Sequence, residues 1–320
     1  MVSPNLTEIV TTTLRNRQRE WFDNVTNNNA LLTRLEQRGQ IRPVSGGRTI
    51  VKPLMYAENG NFQYYSGYEV LDISPTDMLT SAEFDWKQAA TKVSMNGLEK
   101  RQNSGSDAFL DLLEARIRNS MNTMANNISV GLYSDGTGSG GKQIGGLQLL
   151  VADDPTTGTV GGIDRSSQTW WRNVSYDATT DGGAAADATN IQSYFNAVYN
   201  QLVRGQDKVD LIIADNNYFG FFEDSLQANQ RFTSSDMGEL GFMAYKYKGA
   251  DVVLENGSSF PSDHAYFLNT NYIGLEVHSD ANMTPMEDRV SINQDAFVIP
   301  IIWMGNMTVS NSSLQGVLKD

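Results

Sequence analysis

The chain has 320 residues, 40% of them apolar, a formal net charge of −13 and no cysteine. So large an apolar share can bury a sizeable core, which excludes a disordered or fibrous chain, and the length sets an expectation of about two domains. The missing cysteine excludes disulfides, thiolate metal sites and cysteine nucleophiles, and the acidic excess argues against a surface that grips nucleic acid through many phosphate contacts.

Charge is uneven along the chain. Residues 1–50 hold Arg15, Arg17, Arg19, Arg34, Arg38, Arg42 and Arg48 against Glu8, Glu20, Asp23 and Glu36, a local +3 on an otherwise acidic body. Such a basic arm can dock onto another copy of the chain or form a solvated helix face. Val10, Leu14, Trp21 and Val25 recur at roughly helical spacing, Asn27 to Asn29 interrupt them, and ALLTRLEQRG reads as a short second helix closed by Gly39. The start, MVSPNLTEIV, lacks a basic patch followed by an apolar run, so a soluble intracellular origin is expected.

From Ile41 the texture changes to RPVSGGRTIVKPLMYAENGNFQYYSGYEVLDI, rich in β-branched and aromatic residues, with turn signals at Gly46-Gly47, Asn59-Gly60 and Ser66-Gly67. Together with the return through AEFDWKQAATKVSMNG, this describes strands joined by turns in a long hairpin arm. Isolated two-stranded ribbons are marginal, so Tyr56, Phe62, Tyr64, Tyr65, Tyr68, Phe84 and Trp86 need a neighbour to cover them. Trp86→Ala is accordingly expected to harm association with a covering neighbour more than folding of the chain.

Asn103 or Ser104 can cap the next element, in which Leu110, Leu113, Ile117, Met121, Met124, Ile128 and Leu132 recur every three or four residues without a proline. It reads as a spine helix over 105–134. The stretch DGTGSGGKQ follows, and Gly136 to Lys142 partly match both nucleotide-binding glycine fingerprints. Those fingerprints need a strand before the glycines and a helix after them, whereas here a helix precedes, the short apolar run IGGLQLLV follows, and Gln143 stands where a Mg²⁺-holding hydroxyl would be. The glycines are expected to let the chain reverse and enter a strand.

Residues 153–190 read as a long surface loop with a strand or two, their aspartates as solvated turn residues. ATNIQSYFNAVYNQLVRG gives a helix with Ile191, Tyr194, Phe195, Val198 and Leu202 on one face, followed by the buried-strand signal VDLIIA. NNYFGFFEDSLQANQRF as helix, with ADVVLEN and HAYFLNT as strands, completes a compact α/β unit. The closing strand AFVIPIIWMGNMTVSN carries Pro300 at an edge or bulge, and its run Phe297 to Met304 falls well short of the roughly 18 apolar residues that cross a bilayer. His264 and His278 lie in no metal-binding pattern, and no GxSxG elbow or carboxylate dyad is visible.

In this order, a basic helical arm, an aromatic hairpin, a spine helix, an α/β unit and a closing strand resemble the major capsid proteins of tailed bacteriophages, the Hong Kong 97-type coat family. ALLTRLEQRG with IRPVSGGRTIVKPLMYAENGNFQYYSGYEVLD is similar to the family's arm and extended loop, and AEFDWKQAATKVSMNGLEKRQNSG to the return into the spine. GKQIGGLQLLVAD resembles its post-spine turn, and YKGADVVLEN, HAYFLNTNYIGLEVH and FVIPIIWMGNMTVSN its axial domain and the return from it. The resemblance covers nearly the whole chain and is weakest at 153–190.

It implies an α+β capsid fold: an arm over 1–45, an extended loop over 46–97, a peripheral domain over 98–188, an axial domain over 189–288 and a return over 289–320. It further implies a shell subunit with no cofactor and no turnover, assembling as hexamers and pentamers in the host bacterial cytoplasm around a dsDNA genome that it contacts non-specifically. A portal and a separate or already cleaved scaffolding protein would be its partners, because the arm begins almost at once. Arg48, Tyr64, Tyr65 and Trp86 are the candidate inter-subunit contacts, since arginine and aromatic residues dominate binding hot spots. An encapsulin-like nanocompartment shell shares the fold and is the first alternative; a nucleotide-dependent enzyme using residues 136–142 is the second.

Overall fold

The strand Leu211–Ala214 is buried on both faces and divides two cores. Successive strand residues point to opposite sides, so Leu211 and Ile213 enter one apolar cluster and Ile212 and Ala214 the other. This computed structural model describes residues 29–71, 73–102, 106–226, 244–257, 259–286, 289–290 and 295–320. The expected helix around Val10 to Val25, the caps Asn103 and Ser104, and the continuation of the helix past residue 226 lie outside them.

Leu211–Ala214 belongs to a six-stranded sheet, parallel to Ala250–Leu254 and antiparallel to His264–Leu268. Ala244–Tyr247 flanks one side, Gly316–Lys319 and Val174–Asp177 the other. The helices Ile191–Gln201 and Asn216–Ser225 cover one face. Ile191, Tyr194, Phe195, Val198 and Leu202 are all buried, as their spacing predicts, and the Phe195 and Phe222 rings stack at 5.2 Å. Asp215 starts the second helix by accepting the Tyr218 N–H at 2.9 Å.

A second six-stranded sheet is built on the long strand Ala296–Val309. One edge of this strand pairs with Lys87–Asn96; the other meets Ile273–His278, Thr284–Pro285 and Arg289–Val290 in turn. Ile41–Val44 runs parallel to Ile273–His278. Pro300 therefore lies in a central strand, not at an edge. Its carbonyl accepts the Met286 N–H at 2.8 Å, so its own amide position faces the gap between the two short flanking strands, where a missing donor breaks no ladder.

Ile273–His278, expected in the axial unit, pairs with the long strand, whereas Gly316–Lys319, expected in the return, lies within the sheet around Leu211–Ala214.

The spine helix spans Ser106–Leu132, about 40 Å at 1.5 Å per residue, and ends two residues before the expected limit. Met124, Ile128 and Leu132 are buried, while Leu113, Ile117 and Met121 pack against the same core. A short helix, Gly97–Gln102, precedes it. The Asn96 side chain accepts the Glu99 N–H at 2.7 Å and Glu99 accepts the Asn96 N–H at 3.3 Å, a reciprocal cap that also presents Glu99 to Arg116.

After the spine the chain does reverse, but it enters no strand. Gly145 and Gly146 are followed by one helical turn at Leu147–Leu150, because Gly146 lies against the carbonyls of Gly131 and Leu132 and leaves no room for a partner.

Residues 153–190 are more than a surface loop. Trp171 and Arg165 are among the most deeply buried large side chains, with Trp171 Nε1 donating to the Val160 carbonyl at 3.0 Å. Among the described residues no helix is long and apolar enough to cross a membrane.

Candidate assembly interface

The hairpin pairs Ile50–Met55 with Leu79–Phe84, from Ile50 opposite Phe84 to Met55 opposite Leu79. Alternation puts Ile50, Leu54, Ala82 and Phe84 on a buried face and Val51, Met55, Leu79 and Ser81 on an open one. Its root is tied to the body, since Lys52 Nζ pairs with the buried Glu276 and the Glu83 N–H donates to the Gly161 carbonyl at 2.8 Å.

Beyond Tyr56, whose N–H still donates to the Met78 carbonyl at 3.1 Å, the ladder stops. The expected strands do not continue, and none of the described residues between 56 and 78 is in a strand. Polar side chains join the two legs instead. Asn59 Oδ1 accepts from the Asn61 N–H and from Thr76 Oγ1, Gln63 Nε2 donates to the Val70 carbonyl, and the Ser66 N–H donates to Glu69. With no third strand and no packed face, a ladder here would gain little.

The tip is strongly apolar. Tyr64 is 92% exposed, Tyr68 is fully exposed, and Phe62, Tyr65, Val70 and Ile73 are open to solvent beside them. Phe62 stands edge-on to Tyr64 at 5.2 Å.

Of the four candidate contact residues, Tyr64 and Tyr65 sit together on this tip. Arg48 is exposed just past the Gly46-Gly47 turn at the hairpin's foot. Trp86 is placed differently. It is half-buried on its own chain, with Nε1 donating to the Gly47 carbonyl at 3.0 Å and its ring edge-on to His278 at 5.8 Å.

Sequence reasoning missed the Lys52–Glu276 tie, which joins residues 224 positions apart, and the stacking of Tyr56 on Trp170 at 5.5 Å. It also missed exposed Val70 and Ile73, although an apolar run beside Gly67 in a turn-rich stretch was the available signal.

The glycine stretch forms a turn between helices. Ser139, Gly140 and Gly141 all have positive φ, and Lys87 Nζ donates to the Gly141 carbonyl at 2.6 Å. A cleft of about 580 Å³ separates this turn from the strand Lys87–Asn96, with Met124, Ile128 and Trp303 on its walls. The strand–loop–helix order of a nucleotide site is not formed there.

His264 Nε2 lies 3.1 Å from Asp153 and Nδ1 lies 2.6 Å from the Ser262 carbonyl. Burial pulls its pKa down, but Asp153 and the carbonyl together outweigh burial and hold it above the ordinary value. His278 Nδ1 accepts the Asp280 N–H at 3.2 Å. Among the described residues no group of three metal-ligating side chains occurs.

No protein-family model matches the chain, and comparison with curated proteins finds no match either. Solved structures do match. The capsid asymmetric unit of cyanophage A-1(L) superposes with a TM-score of 0.67 at 14% identity, covering 97% of this chain and 98% of that one. The capsid of the native GTA particle gives 0.65 at 14% identity, covering 100% and 99%. A structure from Mycobacterium phage Bobi gives 0.56 at 11% identity, covering 98% and 97%.

The chain has the phage capsid fold. Within this capsid fold, ten of the thirteen exposed large apolar side chains among the described residues lie between Val51 and Leu79, so among those residues the hairpin holds most of the uncovered apolar surface.

Proposed function

We propose that the chain is a major capsid protein that assembles into the icosahedral or prolate shell enclosing a phage dsDNA genome. The observation that carries this reading is the hairpin, whose apolar side chains are concentrated on a projection its own subunit leaves open. Contiguous exposed apolar surface of this kind marks an interaction site, and about 1,600 Å² of buried interface suffices for stable association. The fold supports the reading, and the neighbours' names, capsids of a cyanophage and of a GTA particle, favour a genome-enclosing shell over a nanocompartment.

In this reading Arg48, Tyr64 and Tyr65 contact neighbouring copies, and Trp86 supports them from the hairpin's foot. The subunit is structural and turns over no substrate. It forms hexamers and pentamers in the host cytoplasm, meets a portal and a scaffolding protein, and touches packaged DNA non-specifically, as its acidic body requires. The arm, extended loop, peripheral and axial units are the parts of that shell subunit.

Sedimentation velocity and negative-stain microscopy of the expressed chain, alone and with its scaffolding protein, test this. Large closed particles are expected. A strictly monomeric species at every salt concentration, pH and scaffold ratio overturns the reading.

A further inference from the structure

We infer that Trp170 is a positioning residue for assembly: through its stack on Tyr56, over a strap that seats Gly161 beneath the hairpin, it sets the direction in which the hairpin arm leaves the subunit. The inference rests on the capsid reading and specifies how the arm is aimed.

The strap runs from Thr159 to Trp171, and the body holds it rigidly. The Arg165 guanidinium is buried and donates to the carbonyls of Leu149 and Leu150 and to Ser312 Oγ, while the Arg165 carbonyl accepts from Arg172 Nε at 2.7 Å. Trp171 fills the space below. From this base Gly161, at φ +60, presses on the hairpin root so closely that an added Cβ would stand 2.8 Å from the Ala82 side chain and 3.0 Å from the Phe84 ring. Gly161 is the pivot.

Farther out the packing opens. A groove of about 600 Å³ separates arm from strap, lined by Asp77, Leu79 and Thr80 on one side and Ile163 and Gln168 on the other. Tyr56 and Trp170 bridge this groove, 5.5 Å apart and inclined by 28°, with Trp170 Nε1 anchored on Gln168 Oε1 at 2.8 Å. Without the bridge, the groove is space into which the arm can swing.

The leverage is large. From Tyr56 to the Gly67 turn is a reach of up to about 36 Å of extended chain, so a tilt of about 10° moves the tip by about 6 Å, more than the roughly 4.5 Å over which side chains touch. An aromatic pair shifts an equilibrium about two- to twelvefold, enough to fix or release such a lever.

The chain has no cysteine, so Glu58→Cys and Gln201→Cys, both at exposed positions, give two clean spin-label sites, one on the arm and one on the axial helix. In the unassembled full-length subunit, one narrow label-to-label distance is expected for the parent and for Trp170→Phe. Trp170→Ala and Tyr56→Ala are each expected to broaden it, with the double variant no broader than either, and with the thermal midpoint of the subunit nearly unchanged. Unlabelled Trp170→Ala particles are expected to vary in diameter or fail to close.

Parent-like distances in both alanine variants overturn the inference, as do broadened distances accompanied by particles of unchanged diameter. If Trp170→Ala does not fold, Tyr56→Ala, at a half-exposed ring, decides alone. If the parent itself never forms particles, the capsid reading fails, while the distance measurement still decides whether the stack aims the arm.

Discussion

The Arg34 guanidinium on the short helix Ala30–Gln37 lies 3.5 Å from the Asp210 carboxylate, at the start of the strand Leu211–Ala214 that divides the two cores, and 3.4 Å from buried Asp251. Asp210 also accepts from the Thr270 N–H at 2.7 Å and from its hydroxyl at 2.6 Å, and Asp251 pairs with Lys246. This arginine of the basic segment thus serves its own subunit. Removing one partner of a buried ion pair leaves a charge uncompensated, so Arg34→Ala should cost about 3–5 kcal/mol in denaturant unfolding. Arg38, whose side chain is far more exposed, reaches the same carboxylate at 3.3 Å, and Arg38→Ala should cost about 1 kcal/mol or less. Equal losses from the two variants would show that the buried network is not what holds the helix down.

Tyr64→Ser combined with Tyr68→Ser removes exposed rings and leaves the core untouched, so subunit stability should change by no more than about 0.5 kcal/mol while particle yield collapses. Trp86→Ala should behave oppositely. Its indole covers Gly47 and His278, so chemical denaturation should register a loss of about 1–3 kcal/mol before any assembly defect is measured. Normal particles from the tyrosine variant would remove the tip from the interface.

Two glycines near the spine's end separate steric from conformational demands. A Cβ on Gly146 would lie 2.5 Å from the carbonyl oxygens of Gly131 and Leu132, backbone atoms that cannot step aside, and Gly146→Ala should lower stability by more than about 2 kcal/mol. Gly140, at φ +69 with open space around it, should lose only about 1 kcal/mol in Gly140→Ala. Thermal melts of the two variants side by side check the order.

His264 supplies a pH signature. Its folded-state pKa is raised, so the stabilisation from Asp153 is fully present below the unfolded value of about 6.5 and is lost as pH rises through the folded pKa. The parent should therefore exceed His264→Gln in thermal midpoint by more at pH 5.5 than at pH 8.5. A gap independent of pH would mean that the imidazole acts only by packing.

What was legible in the sequence was local. The stripe through Met124, Ile128 and Leu132, the buried face of Ile191 to Leu202, and the run Leu211–Ala214 each announce themselves by period, because one element facing one core imposes one spacing. What was not legible depends on distant pairing. Nothing near Pro300 says that its partner strands break beside it, and nothing near Lys52 points to Glu276. The IGGLQLLV run has strand composition, yet tertiary contact at Gly146 overrides it. For the candidate interface, the aromatic content of the hairpin was visible, but composition could not separate Tyr64 and Tyr65 on the tip from Trp86 folded against its own foot.

The sheet built on Ala296–Val309 joins Ile41–Val44 to Ile273–His278 and Lys87–Asn96 to Ala296–Val309 itself. A ribosome adding about 5–20 residues per second needs roughly 11–45 s to proceed from the end of the hairpin to the last of those partners. Throughout that interval the nascent polypeptide displays its stickiest segment without the platform that will later carry it, and on a polysome many copies do so side by side. Shelter during synthesis, by chaperones or by sparse ribosome loading, is therefore a requirement written into the connectivity itself.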